Sequence, residues 1–326
     1  MPGKQLHTNV QFWRDEGLPG VEARLSTYRK HAFRTHIHAE YSVGLIEQGS
    51  TRFPLGGTMH TAQAGQMVFI HPNEPHACNP DTLSGISYRM FYIAPGWLAG
   101  ATAHGRAPRF VRPVVDDPEL YAAWRELHEA YVWGAPLGEK QALLLTCLRE
   151  LIDRHADSTL QTESDRRADD RQAGDRQAGG AREHQQEFQP LTATSPQAKA
   201  DSAAIARARK HLAASVGVRV PLDELAQVAG LSRHHFARSF KAATGLPPHC
   251  YQLQLALEHA KRLLAGGLPI SQAALDAGFA DQSHFSRLFR QFTCAPRRQY
   301  VLNTPCDTRP CETRPCEACP EAAAAL

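Results

Sequence analysis

The sequence predicts an α+β protein of several domains, with an N-terminal β-barrel flanked by two helices and a C-terminal all-α domain. One motif occurs twice between Pro221 and Tyr300, which predicts two copies of one helical unit. Short segments rich in β-branched and aromatic residues occupy Val21 to Ala94, and Gly, Pro, Asn and Asp separate most of them. Helical patterns follow these segments. A chain of 326 residues has room for two such domains.

The two copies read PLDELAQVAGLSRHHFARSFKAATGLPPHCY and PISQAALDAGFADQSHFSRLFRQFTCAPRRQY. Each copy predicts a short amphipathic helix, a turn at Gly230 or Gly278, and a second amphipathic helix. Ser232 is expected to cap the second helix of the first copy. This is the helix-turn-helix pattern, in which the second helix enters the major groove of DNA.

The outward faces of the two second helices are candidate DNA-reading surfaces. Each helix has two Phe residues four positions apart, which we expect in the core, so polar residues face outward. An outward arginine on one isolated helix is more often merely solvated, but here the pattern recurs in both copies. Residues 201–300 hold 13 Lys and Arg against 6 Asp and Glu, a net charge of +7 in a chain of +3, which favours nucleic acid. The candidates are Arg233, His234, Ala237, Arg238 and Lys241, and then Ser283, His284, Arg287 and Arg290.

Residues from about 204 to 302 resemble the DNA-binding domain of the AraC/XylS family of bacterial transcription regulators. The motifs LDELAQVAGLSRHHFARSFKAATG, EHAKRLL and GFADQSHFSRLFRQF carry this resemblance. It implies seven helices in two subdomains, joined by a long helix at about Tyr251 to Leu264. It also implies base contacts from His234, Ala237 and Arg238 of the first unit, and from Ser283, His284 and Arg287 of the second.

Two positions depart from the family pattern. Ala256 stands where members usually carry Arg, and Cys294 stands where a Gly usually follows the second reading helix. These departures concern local packing or one phosphate contact, and they leave the predicted fold unchanged. The resemblance further implies double-stranded DNA, RNA polymerase and a second copy of the chain as partners.

The N-terminal segments VEARLSTY, FRTHIHA, YSVGLIE, STRFPL, QMVFIHP and ISYRMFYIA are predicted strands. His36 and His38 lie two apart on one predicted strand, so their side chains should share a face. His76 follows in AGQMVFIHPNEPHA. This region resembles the small cupin barrel that often precedes the DNA-binding part of AraC-type regulators.

The three histidines have two interpretations. Converging imidazoles suit zinc, iron or nickel, but catalytic cupins add a Glu a few residues after the His pair, and Ser42 and Val43 stand there instead. We therefore favour an effector pocket without a metal or another cofactor, and an enzyme is the less favoured alternative. The expected pocket residues are Arg34, His36, His38, Tyr41 and His76.

Two helices should follow the barrel. DDPELYAAWRELHEAYV and PLGEKQALLLTCLRELIDRHA each place apolar residues at helical spacing, with Leu120, Trp124, Leu127 and Tyr131 in the first stripe. Packing on the barrel and forming a dimer interface are compatible roles, and we favour a helical dimer interface. These helices close a predicted effector and dimerisation domain, residues 1–155.

Residues 156–200 form a predicted flexible linker, since their polar, charged sequence has almost no apolar residues. A tether of this kind would let the domains communicate by proximity more than through a stiff hinge. The DNA-binding domain is expected at 201–303. The tail, 304–326, holds the cysteines Cys306, Cys311, Cys316 and Cys319, for which a disordered extension is favoured over a metal site.

The polar N-terminus and the lack of a long apolar run argue against secretion and membrane insertion, so we expect a cytoplasmic protein. The favoured function is sequence-specific DNA binding in transcription regulation, controlled by a small molecule in the N-terminal domain. A metal or redox sensor acting through the tail cysteines, and a cupin oxygenase fused to a DNA-binding module, remain alternatives.

Overall fold

The computed structural model describes residues 9–28, 33–81, 85–103, 105–157, 196–293 and Tyr300. The strands are β1 Asn9–Arg14, β2 Val21–Tyr28, β3 Tyr41–Leu55, β4 Thr58–Gln63, β5 Met67–Ile70, β6 Asn79–Pro80, β7 Ile86–Ile93 and β8 Val114–Val115. The helices are α1 Pro95–Ala101, α2 Pro118–Val132, α3 Leu137–His155, α4 Pro196–Ala214, α5 Leu222–Ala229, α6 Arg233–Thr244, α7 Pro248–Ala265, α8 Ile270–Asp276 and α9 Gln282–Thr293. The predicted fold class, a cupin-like antiparallel domain followed by a helical domain, is confirmed.

The eight strands form one antiparallel sheet in the order β1-β2-β7-β3-β5-β8, and β4 and β6 also pair with β3. Apolar residues are buried on both of its faces. Alternate residues of β5 show this, since Phe69 packs in the core under α2 and α3, while Ile70 packs in the barrel interior. Two buried faces explain why MVFI is an unbroken apolar run and why ISYRMFYI is apolar or aromatic apart from Ser87 and Arg89.

Strand β3 differs from its prediction, because YSVGLIE and STRFPL form one continuous strand of 15 residues. Gly49, which lies between the two predicted segments, has a φ of 76° and stays within the strand. A Cβ at this position would lie 2.1 Å from the carbonyl oxygen of Gly85, so only glycine allows the close approach.

The predicted strand FRTHIHA is wrong as a regular strand. Only His36 pairs there, through an isolated antiparallel bridge with His76. The chain bends at Ala39 and Glu40, and the ladder ends after this single pair. The sequence pattern also missed β1, β4, the two-residue strands β6 and β8, and the short helix α1.

Helices α2 and α3 pack against the outside of the barrel. Asp117 caps α2 by accepting a hydrogen bond from the amide of Leu120. The apolar stripe that includes Trp124 and Tyr131 is buried against the sheet. Because these stripes are already covered within the chain, a dimer interface on α2 and α3 would have to use their outward faces.

The helical domain contains both expected helix-turn-helix units, α5–α6 and α8–α9. Gly230 ends α5 with a φ of 71°, and the Ser232 hydroxyl caps α6 by accepting from the amide of His235, as predicted. The bridging helix α7 has 18 residues and begins at Pro248, three residues before its predicted start. Six helices lie within residues 196–293, and α4 begins inside the expected linker.

The two domains share one core. The barrel interior, including Phe12 and Tyr28, packs with Leu257, Phe289 and Tyr300 in a single buried cluster. The first helix-turn-helix unit also meets the barrel, because its core includes Ile37. The expectation that the domains communicate mainly by proximity across a tether is therefore wrong, since direct packing joins them.

Several predictions fall outside the described residues. These are the greater part of the linker, 158–195, the position of Cys294, and the tail with Cys306, Cys311, Cys316 and Cys319.

Candidate effector cavity and nucleic-acid interface

A cavity of about 60 Å³ lies where the barrel interior meets the second helix-turn-helix unit. The barrel contributes Arg24, His36, His38, Ser42 and His76 to its lining, and the helical domain contributes Gln254, Glu258, Lys261, Thr293 and Tyr300. A water molecule needs about 10–15 Å³ of such space. The cavity therefore has room for only a few atoms while the domains are packed together.

The structure brings His36, His38 and His76 together at this cavity, with one nitrogen of each within 4.8 Å of the others. The backbone bridge between His36 and His76 has N···O distances of 3.0 Å in both directions. Residues directly opposite each other in such a bridge carry their side chains on one face. His38 approaches from two residues further on, and its Nε2 lies 3.1 Å from Nε2 of His76.

Burial governs the charge of these imidazoles. It lowers the pKa of His36 to about 4 and that of His38 to about 3, and it holds the pKa of His76 well below its ordinary value. The positive charges of Arg24 and Lys261 act in the same direction on His36 and His38. All three rings are therefore neutral near pH 7.

Lys261 brings a positive charge from α7 to the cavity, on a side chain that is 15% exposed. Burial by itself would lower the pKa of its ammonium group, but the Glu258 carboxylate 3.1 Å away raises it well above its ordinary value. Gln254, only 4% exposed, accepts a hydrogen bond from the amide of Ile37 through Oε1. Its Nε2 has no hydrogen-bond partner among the described residues, which leaves a donor group at the cavity.

Arg24 connects the barrel to the end of the second reading helix. Its guanidinium donates to the Ser26 hydroxyl at 2.7 Å, to the Tyr92 hydroxyl at 3.2 Å and to the hydroxyl of Tyr28. It also donates to the carbonyl oxygen of Thr293, the last residue of α9, at 2.7 Å. A cation at a helix C-terminus is favourable because the last carbonyls there lack partners within the helix.

A second arginine, Arg14 of β1, also joins the barrel to the second helix-turn-helix unit. Arg14 donates to the carbonyl oxygen of Tyr300 at 2.9 Å and lies 3.9 Å from the centre of its ring. The Tyr300 ring also meets Phe12 of the barrel and Phe289 of α9 edge-on. Both arginines thus hold the second helix-turn-helix unit against the barrel.

Two of the expected pocket residues lie elsewhere. Tyr41 points to the other face of β3, where its ring packs on His71 and Phe110 and its hydroxyl donates to the carbonyl of Pro108. Ser42, the next residue, faces the cavity instead, because side chains alternate along a strand. Arg34 is exposed and contributes its carbonyl oxygen to His36, while its side chain is not part of the cavity lining.

Sequence reasoning missed Arg24, Gln254, Glu258 and Lys261. Lys261 and Glu258 are part of the EHAKRLL motif, which was interpreted as a bridging helix alone. The sequence did offer one signal for these residues, namely charged side chains on the side of the helix that faces the core. Such groups are rarely buried without a partner, so they indicate a polar contact there.

The proposed DNA-reading residues form two exposed surfaces. Arg233, His234, Arg238 and Lys241 are exposed on α6, and Ala237 is half-buried between them. On α9, Ser283, Arg287 and Arg290 are exposed, and His284 is half-buried. The two Phe pairs lie on the opposite sides of their helices and are fully buried.

Two further features belong to these surfaces. Arg233 contacts the Asp223 carboxylate at 3.4 Å, and both side chains are well exposed, so this pair leaves the arginine accessible. Arg238 and Lys241 also line a groove of about 420 Å³ with Pro248 and His249 at the start of α7.

Comparison with known protein families identifies both domains. A family model for the AraC-like ligand binding domain matches residues 18–151, and a helix-turn-helix domain model matches residues 225–301. The chain belongs to the AraC family of transcription regulators. It is a DNA-binding regulator with an N-terminal ligand-binding domain, and not an enzyme.

Similar regulators span most of this AraC-family chain. The HTH-type transcriptional regulator YbfI of Bacillus subtilis is 24% identical over 282 residues, covering 85% of this chain and 86% of YbfI. The transcriptional activator RhaS of Escherichia fergusonii is 24% identical over 303 residues, covering 90% of this chain and 95% of RhaS.

Solved structures support the fold of this regulator. A ligand-free ToxT variant from Vibrio cholerae aligns with a TM-score of 0.50 and 11% identity, covering 92% of this chain and 97% of ToxT. The structure of ToxT bound to an unsaturated fatty acid gives the same TM-score and identity, with 91% and 94% coverage. Among the described helices, none is long and apolar enough to cross a membrane.

Proposed function

We propose that this regulator binds a small acidic effector in the cavity between its domains, and that this binding controls how α9 contacts DNA. The carrying observation is that both domains line one cavity, which holds the Lys261 ammonium, the Arg24 guanidinium and the unpaired Nε2 of Gln254. All of these are hydrogen-bond donors, and two are charged. Lys261 is already paired with Glu258, and Arg24 already donates to four acceptors. A carboxylate or another anionic oxygen group would add a charge-assisted contact to these two cations and would give Gln254 Nε2 its missing acceptor.

Coupling follows from the contacts of Arg24. This one side chain lines the cavity and also holds the C-terminal carbonyl of α9. A cavity of about 60 Å³ is smaller than most organic effectors, whose pockets usually measure about 300–1,000 Å³. An effector of several carbon atoms therefore has to loosen the contact between barrel and α9, and the second reading helix becomes free to reorient.

DNA reading is assigned to the exposed faces of α6 and α9. Arg238 and Arg287 occupy equivalent positions in the two units, and an arginine there can bond both acceptors of a guanine edge. Arg233, His234 and Ala237 of α6, with Ser283 and His284 of α9, complete the proposed base-reading set. Lys241 and Arg290 are assigned to phosphate contacts, because a phosphate meets a positive charge without reading sequence.

The effector proposal can be tested with pairs of small carboxylic acids and their neutral amides. The full chain is titrated with each pair, and its affinity for a DNA duplex selected from a random library is measured. We expect the acids to bind and to change the DNA dissociation constant, while the amides do neither. Lys261→Gln should weaken acid binding by about 10-fold or more, since it removes a charged donor.

The exposed Lys210→Gln on α4 is the matched control and should bind the acid like the wild type. Equal binding of acids and amides would refute the acidic effector. If acid saturation left DNA affinity unchanged, the proposed coupling would be wrong even though the binding site was right.

Three further assignments belong to this proposal. The regulator acts in the cytoplasm, where DNA and RNA polymerase are its macromolecular partners. It works as a homodimer whose interface uses the outward faces of α2 and α3, where Trp133 is 55% and Leu137 43% exposed near the helix junction. Sedimentation of the wild type and of Trp133→Glu would test the dimer.

A further inference from the structure

We propose that a backbone contact between Gly217 and Gly278 fixes the relative position of the two reading helices, and so determines which spacing between two base clusters the regulator accepts. This inference rests on the proposed reading of DNA by α6 and α9. Gly217 lies in the loop between α4 and α5, and Gly278 lies in the turn between α8 and α9. Both are positioning residues, because they act on DNA through the helices that they hold.

The apolar cores of the two helix-turn-helix units are separate and meet α7 at different positions. The Phe pair of α6 shares a buried cluster with Tyr251, near the start of α7. The Phe pair of α9 belongs to another cluster, with Leu257 and Leu264 further along that helix. Packing at different positions on one helix makes the relative orientation of the units depend on that helix, and a second contact between them restricts it further.

The Gly217–Gly278 contact is a close approach of two backbones. A Cβ on Gly278 would lie 2.4 Å from the carbonyl oxygen of Gly217 and 3.1 Å from its Cα. A Cβ on Gly217 would lie 2.6 Å from the carbonyl oxygen of Asp276, the last residue of α8. The opposing atoms are backbone and cannot swing aside as a side chain does, so a side chain at either position has to push the units apart.

The loop that carries Gly217 is anchored on both sides of it. The amide of Val218 donates to the carbonyl oxygen of Ser215 at 3.1 Å, which closes a turn around Gly217, whose φ is 90°. The carbonyl oxygen of Val218 accepts a hydrogen bond from Nε2 of Gln252 on α7 at 2.9 Å. The second unit therefore rests against a loop that the first unit and α7 hold in place.

The internal repeat distinguishes this contact from the needs of the turn itself. Gly230 is the equivalent of Gly278 in the first unit, and their φ values are 71° and 82°. A Cβ on Gly230 would meet nothing closer than a side-chain nitrogen of Arg207, at 3.8 Å. Turn geometry explains a glycine at both positions, whereas of the two only Gly278 has another backbone against it.

A fixed pair of reading helices matches one spacing on DNA. Each added base pair moves a base cluster by about 3.4 Å along the duplex and turns it by roughly 35° around the axis. Helix α9 could follow that movement only if the second unit moved relative to the first. Because that movement would disturb the Gly217–Gly278 contact, the contact penalises every spacing except the preferred one.

The test measures binding of the full chain to duplexes that carry the two base clusters selected by the wild type, at the preferred spacing and at one base pair more or fewer. In the wild type, either change should weaken binding by about 10-fold or more, as expected for the loss of one base contact. In Gly217→Ala and in Gly278→Ala, the same change should weaken binding by less than about 3-fold, because the units can adjust. Gly230→Ala is the matched control, with the same kind of backbone strain, and should keep the wild-type penalty.

A Gly217→Ala protein that keeps the wild-type penalty would overturn the proposal, and so would a wild type that selects two clusters but tolerates every spacing. Selection of only one cluster by the wild type would instead contradict the two-helix reading on which the proposal rests. If the alanine variants fail to fold, Gln252→Ala decides, since it removes the anchor of the loop and adds no atoms. It should also reduce the spacing penalty, and an unchanged penalty would count against the contact.

Discussion

Replacing His128 by Gln should make the N-terminal domain less sensitive to acid. His128 lies on α2 and is fully buried. Its Nδ1 accepts a hydrogen bond from the guanidinium of Arg89 at 3.0 Å, and its Nε2 donates to the carbonyl oxygen of Arg24 at 3.2 Å. A second proton on the ring would have to displace the arginine donor.

Burial, assisted by the charge of Arg89, lowers the pKa of His128 from 6.5 to about 3. Since the unfolded chain takes up the proton near pH 6.5, the folded state loses stability as the pH falls below that value. Stability is fully present above pH 6.5 and declines down to about pH 3. At about 1.36 kcal/mol per pH unit, the loss from this group at pH 5 is about 2 kcal/mol.

Gln can accept from Arg89 and donate to Arg24 without titrating. The free energy of unfolding is measured in urea at pH 8, 6.5 and 5 by tryptophan fluorescence. All four tryptophans precede residue 134, so the signal reports the N-terminal domain. Other buried histidines titrate equally in both proteins, and the difference between them isolates His128. If His128→Gln lost as much stability between pH 8 and pH 5 as the wild type, the reasoning would be refuted.

The remaining predictions concern the helix-turn-helix units and are checked by thermal unfolding followed by circular dichroism. Gly230→Ala should lower the free energy of unfolding by about 1–2 kcal/mol, because alanine disfavours the left-handed conformation at this position. No steric clash adds to this loss, since the nearest atom would lie 3.8 Å from the new Cβ. Gly278→Ala should cost distinctly more, since the new Cβ would lie 2.4 Å from the carbonyl oxygen of Gly217; equal losses would contradict this. Ser232→Ala should cost about 1 kcal/mol through the lost cap, and an unchanged midpoint would show that the cap contributes nothing.

The repeat, the turns and the helix caps could be predicted from the sequence, because they depend on neighbouring residues. Gly230, Ser232 and the Phe pairs are local signals, and the structure confirms each of them. The convergence of His36, His38 and His76 was also anticipated, although the regular strand expected to carry the first two is absent.

The cavity between the domains could not be predicted in the same way. Arg24 and Thr293 are 269 residues apart, and nothing in their local sequence indicates that they touch. Lys261 was assigned to a bridging helix because its motif describes that helix and not its partner surface. Tyr41 was wrongly expected in the pocket for a simpler reason. Neighbouring residues of a strand face opposite sides, so Ser42 faces the cavity and Tyr41 faces away from it.

The central claim, that two equivalent helices read two neighbouring DNA segments, is tested most directly by binding selections on Arg238→Ala and Arg287→Ala. Helix α7 has 18 residues and spans ~27 Å at ~1.5 Å per residue, which suits helices in major-groove segments about 34 Å apart. Each variant should lose preference at its own cluster of bases, by ~1–3 kcal/mol per guanine contact, with the clusters about ten base pairs apart. Lys241→Ala, as the control, should weaken all sequences alike and lower the salt dependence. Loss of preference at the same bases in both variants, or in neither, would contradict the claim.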